Sequence, residues 1–507
     1  MNWLDLFSDF DGSAGGRPLY RRIVDHLAAL IQGGTLPGGT RLPTNRELAA
    51  LLQLDRSTIA RAYEELISMG LIYSHVGRGS FVCDAPQPGR TDAWKDRYSS
   101  YGGELRQLMK CLPDPSVSSY PGGVISFAAG IPSADSYPEE EFAAIIKTLA
   151  DGNGGALFKF SPASGEPALR KLVLEHLAGR SLKASDGELM ILSGSQQGID
   201  LMSNMFLDAG DLVVTEDPTY FWAISNFRAH RARIVGIPLD EEGIRLDLLQ
   251  AVLKKGRVKF IYLMPSGQNP TGLTMSLERR RAVLELARRY NTPIFEDDFS
   301  GDLDYEGGPL PPLRALPGGH SLVVYQGTFS KALAPGIRLG WLVAPPQVVE
   351  RLNFAKRGSD LSTSSLTQTL LSEFLRRGSY GRHLERINAL YAARRDTMLG
   401  ALERCFGESG VKFLRPRGGL FLWMTLPEGM DARTFLSFSE QEGVSFSPGD
   451  ICYVGKADPC TLRLSFIQND TTAIEEGVER LFTAFRKYRR AMGVQTIDKT
   501  EPEHVLI

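Results

Sequence analysis

The sequence predicts a multidomain chain: a small, mainly α winged helix-turn-helix followed by a large α/β domain with a mostly parallel sheet. Between residues 17 and 83, helical stripes give way to two short strands around a glycine turn. From about 120 to 490, apolar runs of strand length alternate with amphipathic helical stretches, the pattern of a buried parallel sheet. The stretch between them, DAPQPGRTDAWKDRYSSYGG, mixes Pro, Gly, Ser and charge without apolar periodicity, which is a linker composition. The expected organisation is a head at 1–83, a linker at 84–103, a large domain at 104–492 and a polar tail at 493–507.

Composition narrows the class. With 507 residues, 43% hydrophobic and 23% charged, the whole chain is not disordered, collagenous or a coiled coil. A net charge of −2 excludes a globally basic nucleic-acid scaffold but leaves a local basic face open. Cysteines 83, 111, 405, 452 and 460 form no C-x-x-C pair, as expected of free thiols in a reducing compartment. The N-terminus is acidic where a secretory signal is basic, and no run of about 18 apolar residues occurs. The expectation is a cytoplasmic protein without membrane contact or metal site.

In the head, Leu19, Ile23, Leu27, Leu30 and Ile31 form one helical stripe, stopped by glycines and Pro37. Thr44 and Glu47 have the spacing of a capping box for a second helix. After a turn at 52–54, Asp55 can cap a third helix, with Ile59, Ala62, Tyr63, Leu66 and Ile67 inward and Gly70 after its end. LIYSHV and GRGSFV then make a hairpin. Residues 17–82 contain eight Arg, no Lys and five acids. A third helix slim enough for the major groove, with a cationic wing tip, suits double-stranded DNA. The candidate contacts are Arg46, Arg56, Ser57, Thr58, Arg61 and Arg78. Spacing alone also fits an ordinary small helical domain with surface arginines. The run PLY…PGGTRLPTNRELA…RSTIARAYEEL…GRGSFV, however, resembles the GntR family of bacterial winged-helix regulators over about 65 residues. Asp55 departs from the Ser usual there and brings negative charge toward phosphate.

In the large domain the densest chemistry is GTFSKALAPGIRLG at 327–340. Lys331 follows a strand-like run, hydroxyls flank it, and Arg338 stands seven residues on. A lysine nucleophile needs partial desolvation, and a fixed arginine beside hydroxyls suits a phosphate. A surface lysine on a loop remains an equal reading of this segment alone. Three more pieces accompany it. The loop GSQQG at 194–198 joins a strand to a helix and can offer N–H groups to phosphate. The loop PSGQNPTG at 265–272 follows another strand. Glu296-Asp297-Asp298 ends a third, where a buried carboxylate needs a cation.

In this order the pieces resemble fold-type I aminotransferases of the aspartate aminotransferase class, from roughly 120 to 490. That resemblance implies pyridoxal 5′-phosphate in Schiff-base linkage to Lys331. It implies that Asp297 pairs with the pyridine nitrogen, Asn269 with the ring hydroxyl, and that Tyr220 stacks on the ring. Ser195, Gln196, Thr328, Ser330 and Arg338 would surround the phosphate. Arg463 would grip a ligand carboxylate, and Gly130 would line the entrance. The lesser reading of Arg463, from its position alone, is a strand-end salt-bridge residue. Phe299 and Phe160 stand where the pattern usually carries Tyr, the second contributed by a partner subunit; each loses a hydroxyl, which weakens the case for efficient transamination.

A GntR-like head on an aminotransferase-like domain resembles the MocR subfamily of bacterial transcription regulators. The resemblance implies a homodimer that binds pyridoxal phosphate and an operator, with a small amino acid or amine as effector and RNA polymerase as a further contact. The linker would carry the effector's influence to the DNA heads. The alternatives are a working aminotransferase with a DNA-binding head, a sensor of pyridoxal phosphate itself, and a scaffold whose cofactor site is silent.

Overall fold

The computed structural model describes residues 3–7, 10, 18–75, 79–83, 97–109, 123–152 and 154–493. The chain divides into two compact units, Met1–Ser99 and Ser100–Ile507.

The first unit has helices Leu19–Gln32, Asn45–Leu52 and Arg56–Ser68, then strands Ile72–His75 and Gly79–Val82. Ile23, Leu27, Leu48, Ile59, Ala62, Leu66, Ile72 and Val82 close one core. The capping box forms: the Glu47 amide donates to the Thr44 hydroxyl at 3.2 Å, and the Thr44 amide to the Glu47 carboxylate at 2.7 Å. Gln53 turns the chain with φ 54°, and Gly70 leaves the third helix with φ 69°. Two expectations are corrected. Asp55 occupies the N-cap position, but its side chain makes no capping hydrogen bond. Ile67 is 42% exposed, because it lies about 80° round the helix from Ile59 and falls at the edge of the stripe.

The second unit carries an eight-stranded sheet. Its order is Leu189–Leu192, Gly340–Val343, Val323–Thr328, Ile294–Asp298, Phe260–Leu263, Leu212–Asp217, Arg233–Asp240 and Gly243–Ile244. The five strands from Val323–Thr328 to Arg233–Asp240 are parallel neighbours. Consecutive residues of these strands face opposite layers. Val214, Ile261, Ile294 and Val323 enter a core shared with helices Leu246–Lys255 and Leu277–Arg289, while Val213, Phe260, Phe295 and Val324 join the other, larger core. A second sheet, ordered Lys412–Phe413, Phe421–Thr425, Thr461–Ser465, Ser447–Pro448, is antiparallel throughout.

The expected linker is shortened at its end. Ser100–Met109 is helical, so the last four residues of 84–103 are helix. Glycines 102 and 103 cost helix stability locally, and the packing of this helix beside Phe221–Ala229 overrides that preference. Residues 84–96 and 494–507 lie outside the described residues.

Candidate cofactor and ligand site

In the head, Arg46, Arg56, Ser57 and Arg61 are exposed and Thr58 is half-buried. Four of these five stand at or near the start of the third helix. The Arg61 guanidinium lies 4.2 Å from the Tyr20 ring centre, so that residue also ties the third helix to the first. Arg41 was missed by spacing: it is exposed, bridges to Phe81 on the wing, and packs its guanidinium against Gly79. Arg78 lies outside the described residues.

In the large unit, the carboxyl ends of the parallel strands converge on a cleft of about 330 Å³, within the range of small-molecule sites. Ser195, Gln196, Tyr220, Asn269, Asp297, Thr328, Ser330, Lys331, Arg338 and Arg463 all line it, with Gly130 and Phe299. Residues spread over more than 330 positions of sequence thus meet in one place.

The strand Ile294–Asp298 separates its three acids by alternation. Glu296 accepts the Leu313 amide at 2.8 Å and the Arg314 amide at 3.1 Å. Asp298 pairs with Arg180 at 2.7 Å. Asp297 points the other way, into the cleft. One of its oxygens accepts the Tyr262 hydroxyl at 2.7 Å, and the other is buried with no partner. Burial pushes its carboxyl up to about 6. Tyr262 was also missed; its signal was a tyrosine in a fully buried strand, whose hydroxyl needs a partner.

Lys331 follows the strand Val323–Thr328, and its amine donates to the Gly130 carbonyl at 2.8 Å. Burial, helped by Arg463 and Arg338, pushes that amine down to about 8. Beside it, the Thr328 hydroxyl lies 3.1 Å from that of Ser330, and Arg338 reaches Ser330 at 3.4 Å. Helix Ser195–Phe206 begins at the same wall. Gly194 there has φ 91°, and a β-carbon on it would lie 2.5 Å from the Arg338 guanidinium. The Tyr220 hydroxyl donates to Gln196 at 3.2 Å.

Arg463 comes from the antiparallel sheet. It donates to Asn269 at 2.9 Å and to the Ala128 carbonyl at 2.8 Å, and its guanidinium lies 4.2 Å from the Phe421 ring centre. Its exposure is 7%, and its Nε has no partner. Among the described residues it forms no ion pair, so the salt-bridge reading of its position is not realised. Phe299 is buried in the cleft wall, whereas Phe160 is 83% exposed.

Pyridoxal phosphate presents an aldehyde, a basic ring nitrogen and a phosphate. The cleft presents a partly neutral amine, an unpartnered buried carboxylate oxygen, and a helix start beside two hydroxyls and an arginine. These groups fit.

Residues 123–481 match the family Aminotransferase class I and II, and residues 19–82 match Bacterial regulatory proteins, gntR family. The HTH-type transcriptional regulator YisV of Bacillus subtilis is 31% identical over 91% of this chain and 95% of its own length. The probable rhizopine catabolism regulatory protein MocR of Rhizobium meliloti is 26% identical, with 92% and 94% covered. The chain belongs to the MocR-type regulators.

The large unit of this MocR-type regulator superposes on the α-aminoadipate aminotransferase LysN of Thermus thermophilus, complexed with N-(5′-phosphopyridoxyl)-L-leucine. The TM-score is 0.72 at 35% identity, covering 78% of this chain and 99% of that one. Pyridoxal phosphate is accordingly the cofactor of the fold that the regulator carries. Its GntR head is a DNA-binding module. Among the described residues, no helix is long and apolar enough to cross a membrane.

Proposed function

We propose that this regulator binds pyridoxal phosphate at Lys331, receives an amino acid or amine in the same cleft, and changes its affinity for an operator in response. One observation carries the reading: Arg463, a buried cation without an anionic partner among the described residues, faces the cleft that holds the Lys331 amine. A buried guanidinium left unpaired is costly, and a ligand carboxylate would relieve that cost.

When bound, the cofactor supplies a carbonyl that exchanges amines and an electron-withdrawing ring. The residues of the chain divide the remaining work. Lys331 offers its amine, which is partly neutral near pH 7. Asp297 would pair with a ring N–H through its free oxygen while Tyr262 fixes the other oxygen, and Asn269 and Tyr220 would hold the ring. Ser195, Gln196, Thr328, Ser330 and Arg338 bind the phosphate. Arg46, Arg56, Ser57, Thr58, Arg61 and Arg78 contact DNA phosphates and base edges. The ligand shifts regulation only by its differential affinity for the DNA-competent and incompetent states.

Phe158 and Phe160, 82% and 83% exposed, support a homodimer in which this surface is covered by a second copy. A cytoplasmic location and a contact with RNA polymerase accompany the regulatory reading. A second reading, an active transaminase, is favoured by the intact set of Lys331, Asp297 and Arg463.

Titrating the purified chain with amino acids and amines separates the readings. The visible absorption of bound cofactor, binding to a duplex selected from a random pool, and keto-acid formation are followed together. A ligand that shifts absorption and duplex affinity without keto acid supports the sensor. Sustained keto-acid formation with unchanged duplex affinity supports the enzyme. No visible band at all removes both.

A further inference from the structure

The wall assigned to the phosphate is braced from behind. Ser195 and Gln196 line the cleft, while the residues that bracket this turn, Ser193 and Gln197, both reach one carboxylate. The Ser193 hydroxyl donates to Oδ2 of Asp360 at 2.8 Å, and the Gln197 amide nitrogen donates to the same oxygen at 2.7 Å. The Gln197 amide oxygen accepts the Ser193 N–H at 2.8 Å, which closes the ring and fixes which way the amide points. The buried Thr363 hydroxyl lies 3.1 Å from that of Ser193. One side chain, 167 positions along the chain from Ser193, thus holds both ends of the turn at 194–196.

Asp360 follows the helix Pro346–Ser359, and Lys356 stands one helical turn before it. The fully buried Lys356 amine donates to both Asp360 oxygens, at 2.8 and 3.0 Å. An ordinary helix-end ion pair accounts for those two bonds. It does not account for the two donors that cross to Asp360 from the turn. Lys356 also balances a negative charge that would otherwise stand behind a bound phosphate. The Ser193 carbonyl accepts Arg338 at 3.4 Å, so the brace also locates a partner of the phosphate arginine. A glycine at 194, with φ 91°, leaves the turn backbone freer than any other residue would, and N–H groups at a helix start hold an anion best when they are fixed in place.

We infer that Asp360, held by Lys356, is a positioning residue for the cofactor phosphate: it clamps Ser193 and Gln197 so that the turn at 194–196 and Arg338 keep one arrangement. It acts through the turn rather than by touching the phosphate. The inference rests on the pyridoxal phosphate reading of the cleft.

The test uses the full chain freed of cofactor, in equilibrium dialysis against pyridoxal phosphate and, separately, phosphate-free pyridoxal. In Asp360→Ala, affinity for pyridoxal phosphate should fall about tenfold or more, the scale of losing two charge-assisted hydrogen bonds, while affinity for pyridoxal stays unchanged. Asp360→Ala strands the buried Lys356 amine, so Ser193→Ala decides the matter if that variant does not fold. Ser193→Ala keeps the ion pair, should lose about three- to tenfold for pyridoxal phosphate alone, and should shift the phosphorus resonance of the bound cofactor. Equal losses for both compounds, or no loss for either, in the deciding variant overturn the positioning role while cofactor binding stands. A wild-type chain that binds neither compound overturns the cofactor reading and the inference together.

Discussion

Raising the pH from 7 to 9 should accelerate the capture of pyridoxal phosphate by Lys331 about tenfold and then bring it to a plateau, whereas an ordinary surface lysine would still be gaining neutral amine at pH 10. The amine is pushed from the ordinary 10.5 down to about 8, by burial first and then by Arg463 and Arg338. At pH 7 about one amine in ten is then neutral and nucleophilic, against roughly one in three thousand for an ordinary lysine, an advantage of about 300-fold. Stopped-flow mixing of cofactor-free protein with pyridoxal phosphate, read as growth of the visible band between pH 6 and 10.5, measures this. The rate should rise with a midpoint near 8 and level off above about 9. Arg463→Gln removes one of the two charges that depress the amine and should move the midpoint upward; Lys331→Ala should abolish the band. A wild-type rate still climbing at pH 10, or a midpoint that falls in Arg463→Gln, would refute the reasoning.

Other consequences follow from neighbouring groups. Burial raises the Asp297 carboxyl from 3.8 to about 6, so the folded state holds that proton more tightly than the unfolded chain. Its stabilising contribution is present below about pH 4 and is lost as pH rises to about 6; relative to Asp297→Asn, the cofactor-free wild type should lose on the order of 3 kcal/mol across that window in denaturant titrations. Gly194→Ala would place a β-carbon 2.5 Å from Arg338 at a φ of 91°, so affinity for pyridoxal phosphate should fall about tenfold or more while affinity for phosphate-free pyridoxal changes little, as equilibrium dialysis would show. In the head, Arg56→Ala should weaken duplex binding and reduce its salt slope by about one, with stability unchanged. Arg61→Ala should also destabilise the head by about 0.5–1 kcal/mol, measured by hydrogen exchange of residues 56–68, because its guanidinium rests on Tyr20.

Much of this was legible in sequence, where the signal is local. The capping box at Thr44 and Glu47, the strand-length apolar runs and the lysine segment at 327–340 depend on residues a few positions apart, and each took the expected form. Legibility failed where a neighbour distant in sequence decides. Ser100–Met109 is helical despite two glycines because another helix lies beside it. Asp55 shows the limit of local chemistry: a good capping residue in the capping position, whose side chain makes no capping hydrogen bond.

The sequence by itself determined the two-part architecture, the parallel sheet and the residue types that gather at the cofactor site, because hydrophobic period and short motifs are properties of contiguous chain. Only the tertiary structure decided which acid of Glu296-Asp297-Asp298 faces the cleft with a free oxygen, since Arg180 and the amides of Leu313 and Arg314 claim the other two. It alone gave Asp297 its Tyr262 partner, set Arg463 against Phe421 with no anion of its own among the described residues, and pushed the Lys331 amine down to about 8. Burial and partnership are set by residues far apart in the chain, and a side chain's charge state follows from its surroundings rather than from its own identity.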